Sequence, residues 1–305
     1  MIPLLRLVRL PNVFTALADI IAGFFLVACA GCDVAWGTFA LLCGASAALY
    51  LAGMALNDFA DREEDARVRP NRPIPSGAVS PATALGVGLG LLIAGVALAL
   101  LAGRASLFCA AVLALAVLAY DFLAKGKTLA GPLTLGVCRF CNLLLGMSAA
   151  YNAPKLTHPW ELPWLAAFAS GLYGTGVTAF SAQEEHGKNS RSLLLGWIFT
   201  ALGFAAASFV FRSGAPFITT AAGFVLLALL AFQLAQRSRR LMLSSSPDDA
   251  RALVLAGVKG YCLLDAAMLL LNGGGGMTSK LAALAAVLML FPGGWLRRWL
   301  MQREA

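Results

Sequence analysis

The sequence predicts an all-α fold: a polytopic transmembrane bundle of nine to ten helices. Three observations predict it. The 305 residues are 60% hydrophobic and only 12% charged, with a mean hydropathy of +0.79. A water-soluble domain is about half apolar and about a quarter charged, so this chain lacks the polar surface to coat a globule in water. The apolar residues fall in runs close to the roughly 20 residues that cross a bilayer as a helix. The cations cluster on alternate connections between those runs. Together these exclude an aqueous enzyme, a disordered chain and a coiled coil.

Taken in order, the first run, 13–31, follows Arg6 and Arg9. Further spans come after it and no convincing small-residue cleavage site does, so it reads as a span and not as a signal peptide. The second, 35–56, ends in a strongly polar stretch. Runs 82–102, 106–120, 129–150, 162–182, 193–211 and 215–235 follow with short connections. The last two, 252–272 and 279–296, flank Gly273 to Gly276, where a broken or re-entrant helix is the alternative to two full spans. The spans leave no room for a separate soluble domain, so residues 1–305 read as one domain.

With a cytoplasmic N-terminus, seventeen Lys and Arg fall on the inner side and four (Arg104, Lys155, Arg212 and Lys280) on the outer; Arg139 and Lys259 lie within spans. That bias predicts a multi-pass protein of the cell's inner (plasma) membrane with its N-terminus inside. It also accounts for the net charge of +8 without any nucleic-acid partner, since these cations lie near lipid head groups. Three inner connections, 57–81, 121–130 and 183–192, carry unusual polarity and point to chemistry at the inner face.

The acidic residues are concentrated there. Asp58, Asp61, Glu63, Glu64 and Asp65 fall within eight positions at the end of the second span, followed by Arg67, Arg69 and Arg72. If the helix continues, Asn57, Asp61 and Asp65 stand four apart and share one face, with Asp58 at its border. Clustered carboxylates repel unless a cation sits among them. Oxygen ligands on one face suit Mg²⁺, which is usually held by one or two carboxylates plus substrate phosphates. Downstream arginines suit the same phosphates. The set reads as a diphosphate site at the membrane surface rather than a solvated mixed-charge loop.

Asn57-Asp58-x-x-Asp61-x-x-x-Asp65, followed by Arg69 and Arg72-Pro73-Ile74-Pro75-Ser76-Gly77, closely resembles the first Asp-rich signature of the UbiA superfamily of intramembrane prenyltransferases. Arg9-Leu-Pro-Asn12 and Tyr120-Asp121-x-x-x-Lys125 resemble it more loosely. The resemblance implies a helical bundle around a central cavity. It also implies a polyprenyl diphosphate held through Mg²⁺, ionised to an allylic cation and captured by an acceptor. Asn57, Asp58, Asp61 and Asp65 would hold metal and diphosphate; Arg69, Arg72 and Lys125 would hold phosphate oxygens; Tyr120 would border the substrate. Asp61, Asp65 and Lys125 would carry the catalysis. Losing diphosphate separates charge, so cations must stabilise the leaving group. An apolar cavity opening sideways to the lipid would admit the tail and keep water from the carbocation.

The family's second Asp-rich motif has no counterpart: the loop reads Gln183-Glu184-Glu185-His186-Gly187, with no Asp. Glu184 and Glu185 are adjacent, about 100° apart on a helix, and do not form a one-face pair; one of them, with Gln183 or His186, remains a candidate ligand. This loop, with Arg139-x-x-Asn142, resembles the EboC-type branch of the superfamily, which accompanies secondary-metabolite gene clusters. Arg139 and Asn142 share a helix face, and an intramembrane Arg by default faces a cavity or a partner; both are candidate substrate contacts. Asp19 and Asp265 are lone intramembrane carboxylates that could pair with Arg139 or Lys259, or line the cavity. The seven cysteines sit in or near apolar spans and read as small packing residues. A CDP-alcohol phosphotransferase would need an Asp-Gly-x-x-Ala-Arg run, and Asp65-Ala66-Arg67 supplies only a fragment in the wrong order. The remaining alternative is a non-catalytic UbiA scaffold that binds or transports a lipid or metabolite.

Overall fold

The computed structural model describes residues 2–151, 164–186, 190–211, 215–272 and 276–302, and every regular element among them is helical. A short α1 (Ile2–Leu7) and a 3₁₀ turn (Leu10–Asn12) lead into α2 (Val13–Cys29). Then come α3 (Trp36–Ala60), α4 (Arg62–Val68), α5 (Pro81–Ala102), α6 (Arg104–Ala119) with a π-helical turn (Tyr120–Ala124), and α7 (Ala130–Tyr151). The second half is α8 (Trp164–His186), α9 (Ser190–Phe209), α10 (Phe217–Ser244), α11 (Pro247–Asn272), α12 (Met277–Leu288) and α13 (Leu290–Gln302). Among the described residues, nine helical stretches are long and apolar enough to cross a membrane, which makes the chain a multi-pass membrane protein. α8 matches them in length but carries Ser170, Thr175 and Thr178 on its buried surface, and it packs among α7, α9 and α11.

Burial is inverted relative to a soluble protein. α5, α6, α9 and α10 turn Ile93, Leu101, Phe108, Leu194, Phe209 and Phe232 outward, as lipid allows. The interior is closed by α2, α7, α8 and α11, around Phe180, Tyr173, Leu143 and Met268. Lipid tails are as apolar as leucine, so such helices are held by close packing and interior polar contacts. Glycines permit that packing between α2 and α7: a Cβ on Gly23 would lie 2.3 Å from the Leu143 carbonyl oxygen. One on Gly146 would lie 2.8 Å from that of Ile20.

The tenth stretch is itself broken at Met289, between α12 and α13. Pro292 explains the place: it offers no N–H and its ring collides with the carbonyl of Leu288 four residues earlier. Gly273 to Gly275 lie outside the described residues.

Candidate active site

The expected register of the Asp-rich segment holds. α3 ends at Ala60 and α4 restarts at Arg62, yet the amides of Asp61, Asp65 and Arg69 bond the carbonyls four residues earlier, Asn57, Asp61 and Asp65, at 3.0, 2.8 and 2.8 Å. The three side chains are therefore stacked on one face, as four-residue steps require. Asn57, Asp58 and Asp65 are buried.

Cations reach this face from three other segments. Arg72 comes from the turn after α4, whose Gly77 takes a positive φ of 76°. Ile74 and Val79 press that turn onto Leu7, Val8 and Ala55. The guanidinium lands among the acids: Arg72 Nη1 bonds Asp65 Oδ2 and lies 3.3 Å from Asp58 Oδ1 and 4.0 Å from Asp61 Oδ2. One positive nitrogen thus marks the point on which three carboxylates converge. Arg69 Nη1 stands 3.6 Å from Asp65 Oδ1. Lys125 pairs with Asp61. It is placed by the π turn, where its amide bonds the Tyr120 carbonyl five residues back at 3.0 Å.

Arg9 completes the set. It sits in the left-handed region (φ 46°) between α1 and the 3₁₀ turn, a conformation uncommon for a residue with a Cβ. That bend aims its Nη2 at Asp58 Oδ1, 2.7 Å away. Burial alone would lower the Arg9 pKa; the Asp58 carboxylate more than offsets this, and the net shift is upward, so Arg9 stays cationic at any physiological pH. Asp121, on the π turn, accepts at 3.1 Å from Asn57 Nδ2. Four carboxylates (Asp58, Asp61, Asp65, Asp121) thus face four cations (Arg9, Arg69, Arg72, Lys125).

As folded, the carboxylates stand at salt-bridge range from Arg72, not at the roughly 2.0–2.1 Å of a Mg²⁺ ligand. Among the described residues no three His, Cys, Asp or Glu side chains are grouped tightly enough to hold a metal. The donor set itself fits a hard cation: three carboxylate oxygens converge on a point already taken by a positive group.

Arg139 and Asn142 are not part of this cluster. Along α3, Tyr50 is seven residues before Asn57, about 10 Å deeper at 1.5 Å per residue. Arg139 lies at that deeper level, 3.9 Å above the Tyr261 ring and 5.9 Å from that of Tyr50. Its Nη1 bonds Asp19 Oδ2 at 3.0 Å and its Nη2 the Thr15 hydroxyl at 3.0 Å. Asn142 Nδ2 donates to Asp19 Oδ2 and to the Ala16 carbonyl, each at 2.9 Å, and its Oδ1 accepts from Ser46 at 2.7 Å. Asp265 is fully buried, and neither of its carboxylate oxygens has a hydrogen-bond partner among the described residues. Of the two pairings open to Asp19 in the sequence, the fold makes the one with Arg139.

Gln183, Glu184, Glu185 and His186 fall at the C-terminal end of α8, and their side chains lie outside the described residues. Sequence reasoning passed over Arg9 and Asp121 as site members. Arg9 is 49 residues from its partner and Asp121 is 64 from Asn57; only their places in Arg9-Leu-Pro-Asn12 and Tyr120-Asp121 pointed to them.

The bundle and the charged cluster at one end of its interior define an integral-membrane helical protein with an acid-rich, cation-filled mouth. Residues 16–258 match the sequence model of the UbiA prenyltransferase family, and the chain belongs to that family. Among its relatives, the digeranylgeranylglyceryl phosphate synthase of Methanopyrus kandleri is 34% identical over 166 residues, covering 54% of this chain and 57% of that protein. The one from Methanothrix thermoacetophila is 39% identical over 98 residues, covering 32% and 37%. The chain thus spans about half the length of the curated relatives it matches. A UbiA homologue from Aeropyrum pernix K1 superposes with a TM-score of 0.67 at 19% identity, over 85% of this chain and 96% of that one. A homologue from Archaeoglobus fulgidus bound to GPP and Mg²⁺ gives 0.52 at 12% identity, over 96% and 99%. These likenesses establish the helical-bundle fold.

Proposed function

We propose that this chain is an intramembrane prenyltransferase that moves an isoprenyl group from a polyprenyl diphosphate to a lipophilic acceptor, with Mg²⁺ assisting loss of diphosphate. The observation that carries the reading is the convergence of Asp58, Asp61 and Asp65 on Arg72 Nη1, flanked by Arg9 and Lys125. Asn57, Asp58, Asp61 and Asp65 would hold the metal, which would neutralise the leaving diphosphate as a Lewis acid.

The chain's own groups do the rest. Arg72, Arg69 and Lys125, paired with carboxylates here, carry charges that suit diphosphate oxygens, and such charge-assisted bonds are stronger than neutral ones. Tyr120 borders them at the start of the π turn. Asp61 and Asp65 position the charged head; the apolar bundle behind Asn57 takes the prenyl tail and keeps water from the developing cation. Arg139 and Asn142, tied to α2, line the deeper interior below the head group. Glu184 and Glu185 are proposed as additional head-group contacts from α8.

We read residues 1–305 as a single UbiA-like domain in the cell's inner membrane, N-terminus cytoplasmic, which puts the cluster at the cytoplasmic face. The relatives, digeranylgeranylglyceryl phosphate synthases, make geranylgeranyl diphosphate the donor to try first, with a glyceryl phosphate lipid as acceptor. The test is transfer of labelled geranylgeranyl from its diphosphate into extractable lipid by membranes containing the chain. Label in a new lipid product, absent with an Asp61→Asn variant, supports the reading. Binding of the diphosphate with no transfer to any acceptor offered would instead favour the non-catalytic scaffold.

A further inference from the structure

The Asp121 carboxylate is only half used by the fold. Its Oδ1 accepts from Asn57 Nδ2 at 3.1 Å. Its Oδ2 is buried and has no hydrogen-bond partner among the described residues, in a residue only 7% exposed. Asp61, Lys125 and Arg9 are near enough to act on it electrostatically. Leaving a buried acceptor unmet is unfavourable, and more so for a charged group. An orphan of this kind is explained by a catalytic role or by an ion that supplies what the fold does not. The carboxylate also sits on a π turn, a rare element found mostly at functional sites.

The hydrogen bond orients both partners. Because Asn57 gives its Nδ2 to Asp121, its Oδ1 is left for another use, and no described residue donates to it. The two side chains are locked together with one hard oxygen free on each, beside Asp61.

We infer that Asp121 is an oxygen ligand of the divalent cation at the Asn57–Asp61 corner, contributed across the bundle from the end of α6 rather than by the Asp-rich segment. The inference rests on the prenyltransferase reading for the presence of that cation, but its test does not rest on turnover.

The experiment titrates Mn²⁺ into the full chain in lipid nanodiscs with inorganic pyrophosphate present, reading free Mn²⁺ by electron paramagnetic resonance. Wild-type protein is expected to bind. Asp121→Asn keeps an acceptor for Asn57 but loses the charge, and should weaken Mn²⁺ binding by ~10- to 100-fold, the range seen when a metal site loses an oriented partner. Asp121→Glu should restore part of it. Metal-free melting curves of the three proteins should coincide, showing that the fold is kept. Wild-type affinity in Asp121→Asn, whether or not its melting changes, overturns the inference and leaves the prenyltransferase reading standing. Absence of Mn²⁺ binding by the wild type overturns both.

Discussion

At the scale of single residues, the site is an exchange of charge. Asp61 is paired with Lys125 and stands 4.0 Å from Arg72 Nη1, so its loss removes a proposed metal ligand and takes from Lys125 its ion-pair partner. Asp61→Asn is expected to lower kcat by at least ~100-fold, the scale of removing one electrostatic contributor to a charged transition state; steady-state kinetics check it. Lys125→Gln should act differently. The Lys125 side chain is 27% exposed, and ion pairs near solvent contribute ~0–1 kcal/mol to stability, so its melting temperature should stay close to wild type. Its KM for the isoprenyl diphosphate should rise severalfold, because the charge that suits a phosphate oxygen is gone. The deeper Arg139–Asp19 pair reverses that pattern. The Asp19 side chain is fully buried and that of Arg139 is 12% exposed, and breaking a buried pair from one side costs about 3–5 kcal/mol. Asp19→Ala is therefore expected to lower thermal stability markedly while leaving Mn²⁺ affinity at the mouth unchanged; a melting scan and a metal titration separate the two.

At the scale of elements, α3 and α4 were readable because four-residue spacing states its own geometry: Asn57, Asp61 and Asp65 fall on one face whichever residue ends the helix. Arg9 and Asp121 were not readable as site residues, because each reaches the cluster from another element and the packing that delivers it leaves no local pattern. The π turn is the clearest case. An extra residue per turn has no signature in hydropathy, and the apolar run simply stops at Tyr120. Yet the five-residue hydrogen bond from Lys125 to Tyr120 sets where Lys125 points. Inserting an alanine after Leu123, which is 69% exposed, would put Ala124 rather than Lys125 five residues from Tyr120 and turn the lysine by about 100°. The insertion should reproduce the KM increase of Lys125→Gln; unchanged KM would mean that the π turn does not position the lysine. The helix break within the last span, at Met289, follows from Pro292, which removes a hydrogen bond and collides with the preceding turn; the expectation at Gly273 to Gly276 falls largely outside the described residues.

At the scale of the whole molecule, composition alone announced the bundle, because a chain with 12% charged residues cannot cover itself in water. The distribution of Lys and Arg predicts which end is inside, and every cation of the site lies at that end. The Glu63 side chain, 78% exposed on the first turn of α4, reports on this. A Glu63→Cys variant in intact cells should resist a membrane-impermeant maleimide and react once the membrane is opened, against a wild-type control; labelling from outside would invert the topology. The central claim is that a divalent cation, gathered where α3 meets α4, drives diphosphate from an isoprenoid. It is tested most directly by measuring diphosphate released from geranylgeranyl diphosphate in native-membrane vesicles containing the chain, with Mg²⁺ or with EDTA. Release that requires Mg²⁺ and disappears in Asp61→Asn is the predicted result. Equal release with EDTA, or undiminished release by the variant, would contradict it.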